Sequence, residues 1–264
     1  MRVHFFKYQA TGNDFVLIDN LSGEYSFSTD QIRIICDRKF GVGADGLMLI
    51  ERHPSVNFSL QYYNSDGSQS LCGNGSRAAV KMAASLGLVN GKASFEAYDG
   101  MHDAEIENDG IIRLKMNDVR EVRKIGDDFF INTGSPHVIR FVNNLEEFPV
   151  FETGKKIRNS SAFSPSGTNV NFVEIDAPNS IFVRTYERGV ENETLSCGTG
   201  VTAAALAASF CGLTSPVAIK TLGGDLKVEF KNRQTGLPTG QGGIFEDIYL
   251  IGPAKLVFEG DLEL

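Results

Sequence analysis

Residues 72–88 read CGNGSRAAVKMAASLGL, and residues 197–213 read CGTGVTAAALAASFCGL. At a fixed offset of 125 the two stretches agree at eight of 17 positions, from Cys72/Cys197, Gly73/Gly198 and Gly75/Gly200 to Gly87/Gly212 and Leu88/Leu213. The echo continues upstream at an offset of 122, where Gly12-Asn13-Asp14-Phe15-Val16 faces Gly134-Ser135-Pro136-His137-Val138 and Gly67 faces Gly189. Shared Gly and Ala content alone would let the register drift. A gapless Cys-Gly-x-Gly match instead reads as one unit written twice.

The surroundings of each copy agree as well. Phe58–Tyr63 and Ile181–Tyr186 alternate like strands, and each is followed by a Gly-containing polar turn, Asn64-Ser65-Asp66-Gly67 or Glu187-Arg188-Gly189. Then comes the Cys box and an Ala-rich stretch of high helix propensity, stopped by Gly87 or Gly212. Helices with small residues on most faces can lie close to neighbouring backbone, as when wrapped by a sheet. Glu105–Leu114 reads as a hairpin around Asp109-Gly110, and 234–243 as a surface loop. A boundary near 117–122 divides the chain into an N-terminal repeat domain, 1–118, and a C-terminal one, 119–249. The final segment, 250–264, is a candidate to rejoin the first.

The chain has 264 residues, 42% of them hydrophobic, enough for a sizeable core without disulfide or metal staples. Its net charge of −8 argues against non-specific nucleic-acid binding and against an anionic membrane surface. No apolar run approaches the ~20 residues of a membrane helix. Met1–Phe6 run straight into strand-like sequence without a signal-peptide pattern, so a soluble cytoplasmic protein is expected. Cys36, Cys72, Cys197 and Cys211 form no C-x-x-C, and the four histidines stand far from one another, so neither disulfides nor a metal site are expected.

Cys72 and Cys197 each precede a helix start. A helix N-terminus presents unpaired N–H groups and about half a positive charge, which favours thiolate over thiol. The same N–H groups can hold a carboxylate, and the adjacent glycines admit it closely. If the two copies face each other, one pinned carboxylate leaves its α-carbon between two sulfurs. One thiolate then removes the α-proton from one face and the opposing thiol returns a proton to the other. Oriented dipoles stabilise the carbanion, and no pyridoxal lysine is required. No Walker or G-x-G-x-x-G phosphate signature accompanies a strand. Taken singly, each residue has a plainer reading. A cysteine before a helix is often a small core residue, and Cys36 and Cys211, in apolar stretches, read as core. His137 could be a structural hydrogen-bonder, Glu187-Arg188 a surface ion pair, and Asn13, Asn64, Asn74 and Asn169 merely turn formers. The paired repeat context is what favours chemistry.

Together the pieces resemble the diaminopimelate epimerase family. They are Thr11–Phe15, Gly41–Gly46, Asn64–Gly67, Cys72–Gly75, Pro136-His137, Asn169–Phe172, Glu187–Val190, Glu193–Gly200 and Gly252–Ala254, in the family's order along nearly the whole chain. The resemblance implies an α/β (α+β) fold of two pseudo-symmetric domains, each a curved mixed sheet wrapped around a central helix, with the active site in the cleft between them. It implies interconversion of LL- and meso-diaminopimelate with no cofactor and no metal, on the route to lysine and peptidoglycan precursors, by a homodimer. Residue by residue, it makes Cys72 and Cys197 the acid/base pair, assisted by His137 and Glu187. Gly73, Asn74, Gly198 and Thr199 would bind the reacting carboxylate. Asn13, Asn64, Asn169, Glu187 and Arg188 would hold the other substrate groups, Arg188 as partner of the distal carboxylate.

Two features depart from the family pattern. Ser135 stands where the family's Gly-Asn-Pro-His box carries Asn, and Glu191-Asn192 is one residue longer than the usual single Gly before Glu-Thr. Neither removes a proposed base. The competing readings are a cofactor-independent proline or hydroxyproline racemase, which shares the paired cysteines, and a catalytically inert binder of a small amino acid. Asn74 after the first Cys-Gly and the Glu-Arg-Gly box favour diaminopimelate over the first, and two intact cysteines speak against the second.

Overall fold

The computed structural model describes residues 1–70, 72–233 and 245–264; the expected surface loop at 234–243 lies outside them. The chain divides into two units, one of residues 1–114 and 252–264, the other of residues 115–251.

The first unit opens with β1 (Arg2–Ala10), β2 (Asn13–Asp19), α1 (Thr29–Cys36), β3 (Gly46–Glu51) and β4 (Phe58–Asn64). Then come α2 (Gly73–Ser85), β5 (Lys92–Ala97), β6 (Gly100–Ile106) and β7 (Ile112–Lys115). The second unit contains β8 (Val122–Ile125), β9 (Asp128–Asn132), β10 (Pro136–Phe141), α3 (Val150–Arg158), β11 (Asn169–Ala177) and β12 (Ser180–Glu187). It continues through β13 (Asn192–Thr194), α4 (Gly198–Ser209), β14 (Val217–Thr221), β15 (Gly224–Asn232) and β16 (Phe245–Gly252). The chain then returns to the first unit with β17 (Lys255–Glu263), antiparallel to β1.

The repeat seen in sequence is a repeat of strand pairing. In the first unit β1–β2 are antiparallel, β2–β3 parallel, β3–β4 antiparallel, β4–β5 parallel, and β5–β6 and β6–β7 antiparallel. In the second, β9–β10, β10–β11, β11–β12, β12–β14, β14–β15 and β15–β16 follow the same six-step alternation. Parallel neighbours need a crossover, and each unit places its helices there, α1 and α2 in one, α3 and α4 in the other. Register fixes the equivalences: Phe15 pairs with Gly46 as His137 pairs with Asn169, and Met48 pairs with Tyr62 as Asn171 pairs with Thr185.

Strand alternation sends side chains to two buried faces in each unit. Val16, Ile18, Leu47 and Leu49 pack with Ile32 and Ile35 of α1. Val138, Val170, Phe172 and Tyr186 pack with Val150 of α3. The opposite faces receive α2 and α4, whose small residues are almost wholly buried. Burying such helices removes their apolar surface from water without bulk that would hold the sheet away. A Ser28–Gln31 capping box starts α1. Gly87 and Gly212, at φ +76° and +95°, turn the chain out of α2 and α4 as their sequence positions require.

Three expectations need correction. The units meet in sequence at Leu114/Lys115, not at 118/119, because Met116 and Val119 donate backbone hydrogen bonds to Ile248 and Phe245 of the second unit. Residues 250 and 251 belong to β16, so the return to the first unit begins at Gly252. Cys211 is exposed rather than core: Phe210 caps α4, and Cys211 lies in the turn beyond it.

Candidate active site

The strand directions gather the candidate residues of each unit at one end of its sheet. In the first unit the beginnings of β2 and β3, the end of β4 and the start of α2 coincide, bringing in Asn13, Asp45, Asn64 and Cys72. In the second, the beginnings of β10 and β11, the end of β12 and the start of α4 bring in His137, Asn169, Glu187 and Cys197.

In the first unit Cys72 is the N-cap of α2, half-buried and extended, and its Sγ accepts from the Gly75 amide at 3.4 Å. A Cβ on Gly75 would overlap the end of the Met48 side chain, which would have to shift. Asn74 is buried and donates to Asn13 Oδ1 at 2.6 Å; Asn13 in turn donates to Asp45 at 2.7 Å. Asn64 binds within its own turn, to Ser68 and Ser70, and Ser65 ties that turn to the Asp45 carbonyl. Asn13, Asn74 and the Asn64 turn are thus linked through Asp45.

Behind them lie charges that the sequence reading did not single out. Arg38 forms a two-pronged pair with Asp14, at 2.9 and 2.7 Å, and also contacts Asp45 at 2.8 Å. Lys7, buried, pairs with Asp14 at 2.7 Å and donates to the Gly43 carbonyl. Burial pushes the Asp14 carboxyl up, but its hydrogen bonds to Arg38 and Lys7 outweigh that and hold it at about 2. Arg77 of α2 is fully buried and donates to Thr11 at 3.1 Å. Burial pulls its guanidinium down to about 10, opposed by the charge of Cys72.

The second unit builds its end differently. Cys197 is the buried N-cap of α4, and its Sγ lies 3.6 Å from Thr199 Oγ1. His137, with no exposed surface, places Nε2 2.9 Å from Thr199 Oγ1 and 2.9 Å from Ser135 Oγ. Burial, reinforced by the charge of Arg188, pushes the His137 imidazole down to about 3, so it is neutral at physiological pH. Asn169 donates to Ser135 Oγ at 3.2 Å and accepts from the Arg188 amide at 2.8 Å. Ser135 therefore takes part through a short hydroxyl where the family carries Asn. Arg188, a partly buried residue, reaches the Ser166 carbonyl with its guanidinium at 3.3 Å. Glu187 accepts from Thr194 Oγ1 of β13 at 3.0 Å. Glu191, in the longer segment, pairs with Arg158 at 2.8 Å.

The second unit therefore joins His137, Asn169, Thr199, Cys197 and the Arg188 backbone in one network, with Ser135 added. Thr185 and Asn171 also belong to it, and only Asn171 stood in a motif. Among the described residues no three or more His, Cys, Asp or Glu side chains cluster to hold a metal ion. No helix there is long and apolar enough to cross a membrane.

With this geometry in place, the family model for diaminopimelate epimerase matches residues 5–122 and 129–244. The chain belongs to the diaminopimelate epimerase family. It is 46% identical over 258 residues to the diaminopimelate epimerase of Flavobacterium psychrophilum, covering 96% of this chain and 98% of that one. It is 41% identical to that of Chlorobaculum tepidum, covering 96% and 98%. A phenazine biosynthesis protein of the PhzF family from Bacillus anthracis shares the fold, with a TM-score of 0.74, 14% identity and full coverage of both chains. As a member of the diaminopimelate epimerase family, the protein is an isomerase.

Proposed function

We propose that the protein interconverts LL- and meso-2,6-diaminopimelate by proton transfer at the α-carbon, with Cys72 and Cys197 as the acid/base pair. The observation that carries this reading is the duplicated helix start: within a chain of this family, each unit caps its buried helix with a cysteine followed by Gly-x-Gly.

The first N–H groups of a helix have no partner within it and carry partial positive charge. At Gly73 and Asn74, and at Gly198 and Thr199, they suit the carboxylate next to the reacting carbon. As the α-proton leaves, charge flows into that carboxylate, so fixed donors stabilise the carbanion more than the ground state. One cysteine takes the proton as thiolate and the other returns one as thiol to the opposite face, so configuration inverts. Arg188 supplies a planar fork for the distal carboxylate. Asn13, Asn64, Asn169 and Glu187 hold the amino groups and the remaining oxygens, and His137 and Glu187 support the cysteines. By family membership the reading extends to a cytoplasmic homodimer serving lysine and peptidoglycan-precursor synthesis.

The test is LL-diaminopimelate in heavy water, followed for both product configuration and isotope. Formation of the meso form with deuterium at the inverted carbon is expected. Turnover of proline with none of diaminopimelate would move the assignment to the racemases, and a folded protein that exchanges no α-hydrogen would be a binder.

A further inference from the structure

The amide of Asn171 fits its site in one orientation. Its Nδ2 lies 3.1 Å from the Val138 carbonyl oxygen, which can only accept, and its Oδ1 takes the Thr185 hydroxyl hydrogen at 2.9 Å. The second Nδ2 hydrogen therefore points to His137 Nδ1, 3.1 Å away. A ring nitrogen that receives a hydrogen bond carries no proton, so neutral His137 keeps its proton on Nε2. That N–H faces two hydroxyl oxygens, Thr199 Oγ1 and Ser135 Oγ, each at 2.9 Å. Ser135 Oγ, which already accepts from Asn169, lies 3.2 Å from the same Thr199 oxygen. When the Thr199 oxygen receives from the ring N–H and from the Ser135 hydroxyl, its single hydrogen has Cys197 Sγ, 3.6 Å away, as acceptor.

We propose that Thr185 and Asn171 are positioning residues that fix His137 as a permanent Nε2–H donor and, through Thr199, aim a hydroxyl proton at Cys197, favouring its thiolate. The proposal rests on the reading above only in treating Cys197 as a base. It gives His137 a narrower task than proton transfer, because the face of the ring nearest Thr199 already carries its proton.

The comparison between units supports a dedicated device. Register places Phe15, Met48 and Tyr62 where the second unit has His137, Asn171 and Thr185. In the first unit Phe15 and Met48 are apolar and Tyr62 packs through its ring: Phe15 meets Tyr62 edge to face, and Met48 lies under Gly75. In the second unit all three are polar, fully or almost fully buried, and hydrogen-bonded to one another in series. A buried polar chain costs desolvation at each member, so packing alone favours the apolar version. Gly200 leaves the space that lets Asn171 approach the start of α4.

The full chain labelled with 15N-histidine tests this directly, with His137 identified by its loss in His137→Asn. Nitrogen shifts should show Nδ1 bare and Nε2 protonated, without change between about pH 5 and 9. In Asn171→Leu the single tautomer should be lost. Alkylation of Cys197 by iodoacetamide at neutral pH, read by peptide mass, should slow about tenfold, as for loss of one hydrogen bond to a charged acceptor. Thr185→Ser keeps a hydroxyl and should match the wild type in both readouts. A wild-type His137 protonated on Nδ1 overturns the proposal, as does unchanged Cys197 alkylation in a folded Asn171→Leu protein. Should that variant fail to fold, the wild-type tautomer decides alone. The two readings fail separately: an active Cys197→Ala enzyme with an Nε2–H His137 sinks the two-cysteine mechanism and leaves the hydrogen-bond chain standing.

Discussion

Gly200, on the first turn of α4, lies against Asn171 of β11 so closely that a Cβ on the glycine would run into Asn171 Oδ1. Asn171 is buried and held on three sides, by Thr185, Val138 and His137, so it cannot step aside. Gly200→Ala should therefore destabilise the protein by about 1–3 kcal/mol, the usual penalty for overpacking, despite alanine's better helix propensity. Activity should fall as well, since the disturbed contact belongs to the Cys197 network. A denaturant midpoint at or above the wild type's would show that the sheet gives way more easily than these contacts suggest.

Inversion needs a group on each face of the carbon. Cys72→Ala and Cys197→Ala should each reduce epimerisation by several orders of magnitude while leaving the circular dichroism spectrum intact. The two substitutions together should cost little more than either alone, because the pair acts as a unit. Retention of most activity by either single variant would rule out two-base chemistry.

Arg188 is partly buried, and its guanidinium donates to the Ser166 backbone carbonyl. A fork so placed suits a substrate carboxylate. Arg188→Lys keeps the charge and loses the bidentate geometry. We expect it to raise KM for diaminopimelate by about tenfold or more, with a smaller effect on kcat. An unchanged KM would remove Arg188 from the substrate-binding set.

Burial holds the His137 imidazole at about 3, whereas an unfolded histidine titrates near 6.5. Below the unfolded value the unfolded chain binds a proton that the folded chain refuses. Stability therefore falls as pH drops from about 6.5 towards about 3, by up to about 1.4 kcal/mol per pH unit. His137→Gln cannot titrate and should lose this slope. Urea unfolding of both proteins at several pH values in that window measures it, and parallel curves would mean that His137 is protonated in the fold.

Much of this molecule was legible because its signals are local. Small residues closed by Gly87 and Gly212 marked both central helices, and two strands before the Cys boxes ran as their alternation indicated. What escaped notice depends on register or distance. Thr185 reads as an ordinary strand residue until pairing sets it opposite Asn171. Lys7, Asp14, Arg38 and Asp45 are scattered in sequence and meet only when β1, β2 and the approach to β3 come together. The final segment was a candidate to rejoin the first unit, but its partner was not named: β17 pairs with β1, and no local pattern links the two ends of the chain. Cys211 sat in an apolar run, but the helix ended at Ser209, two residues before it.

The Asp14 cluster gives an acid-side counterpart to His137. Asp14 titrates at about 2 in the fold, against about 3.9 in an unfolded chain. Its folded value is depressed, so its contribution is complete above the unfolded value and is lost as pH falls through about 2. The size is about 2 kcal/mol, and because Arg38 is largely exposed, solvent screening places the measured figure at or below that. Asp14→Asn should cost stability at neutral pH, since it leaves the buried Lys7 ammonium without its carboxylate. The gap between variant and wild type should narrow between about pH 4 and 2, a window that lies mostly below that of His137. Calorimetric unfolding of both proteins across that range checks the sign, and a gap that widened on acidification would mean that Asp14 is protonated in the native state.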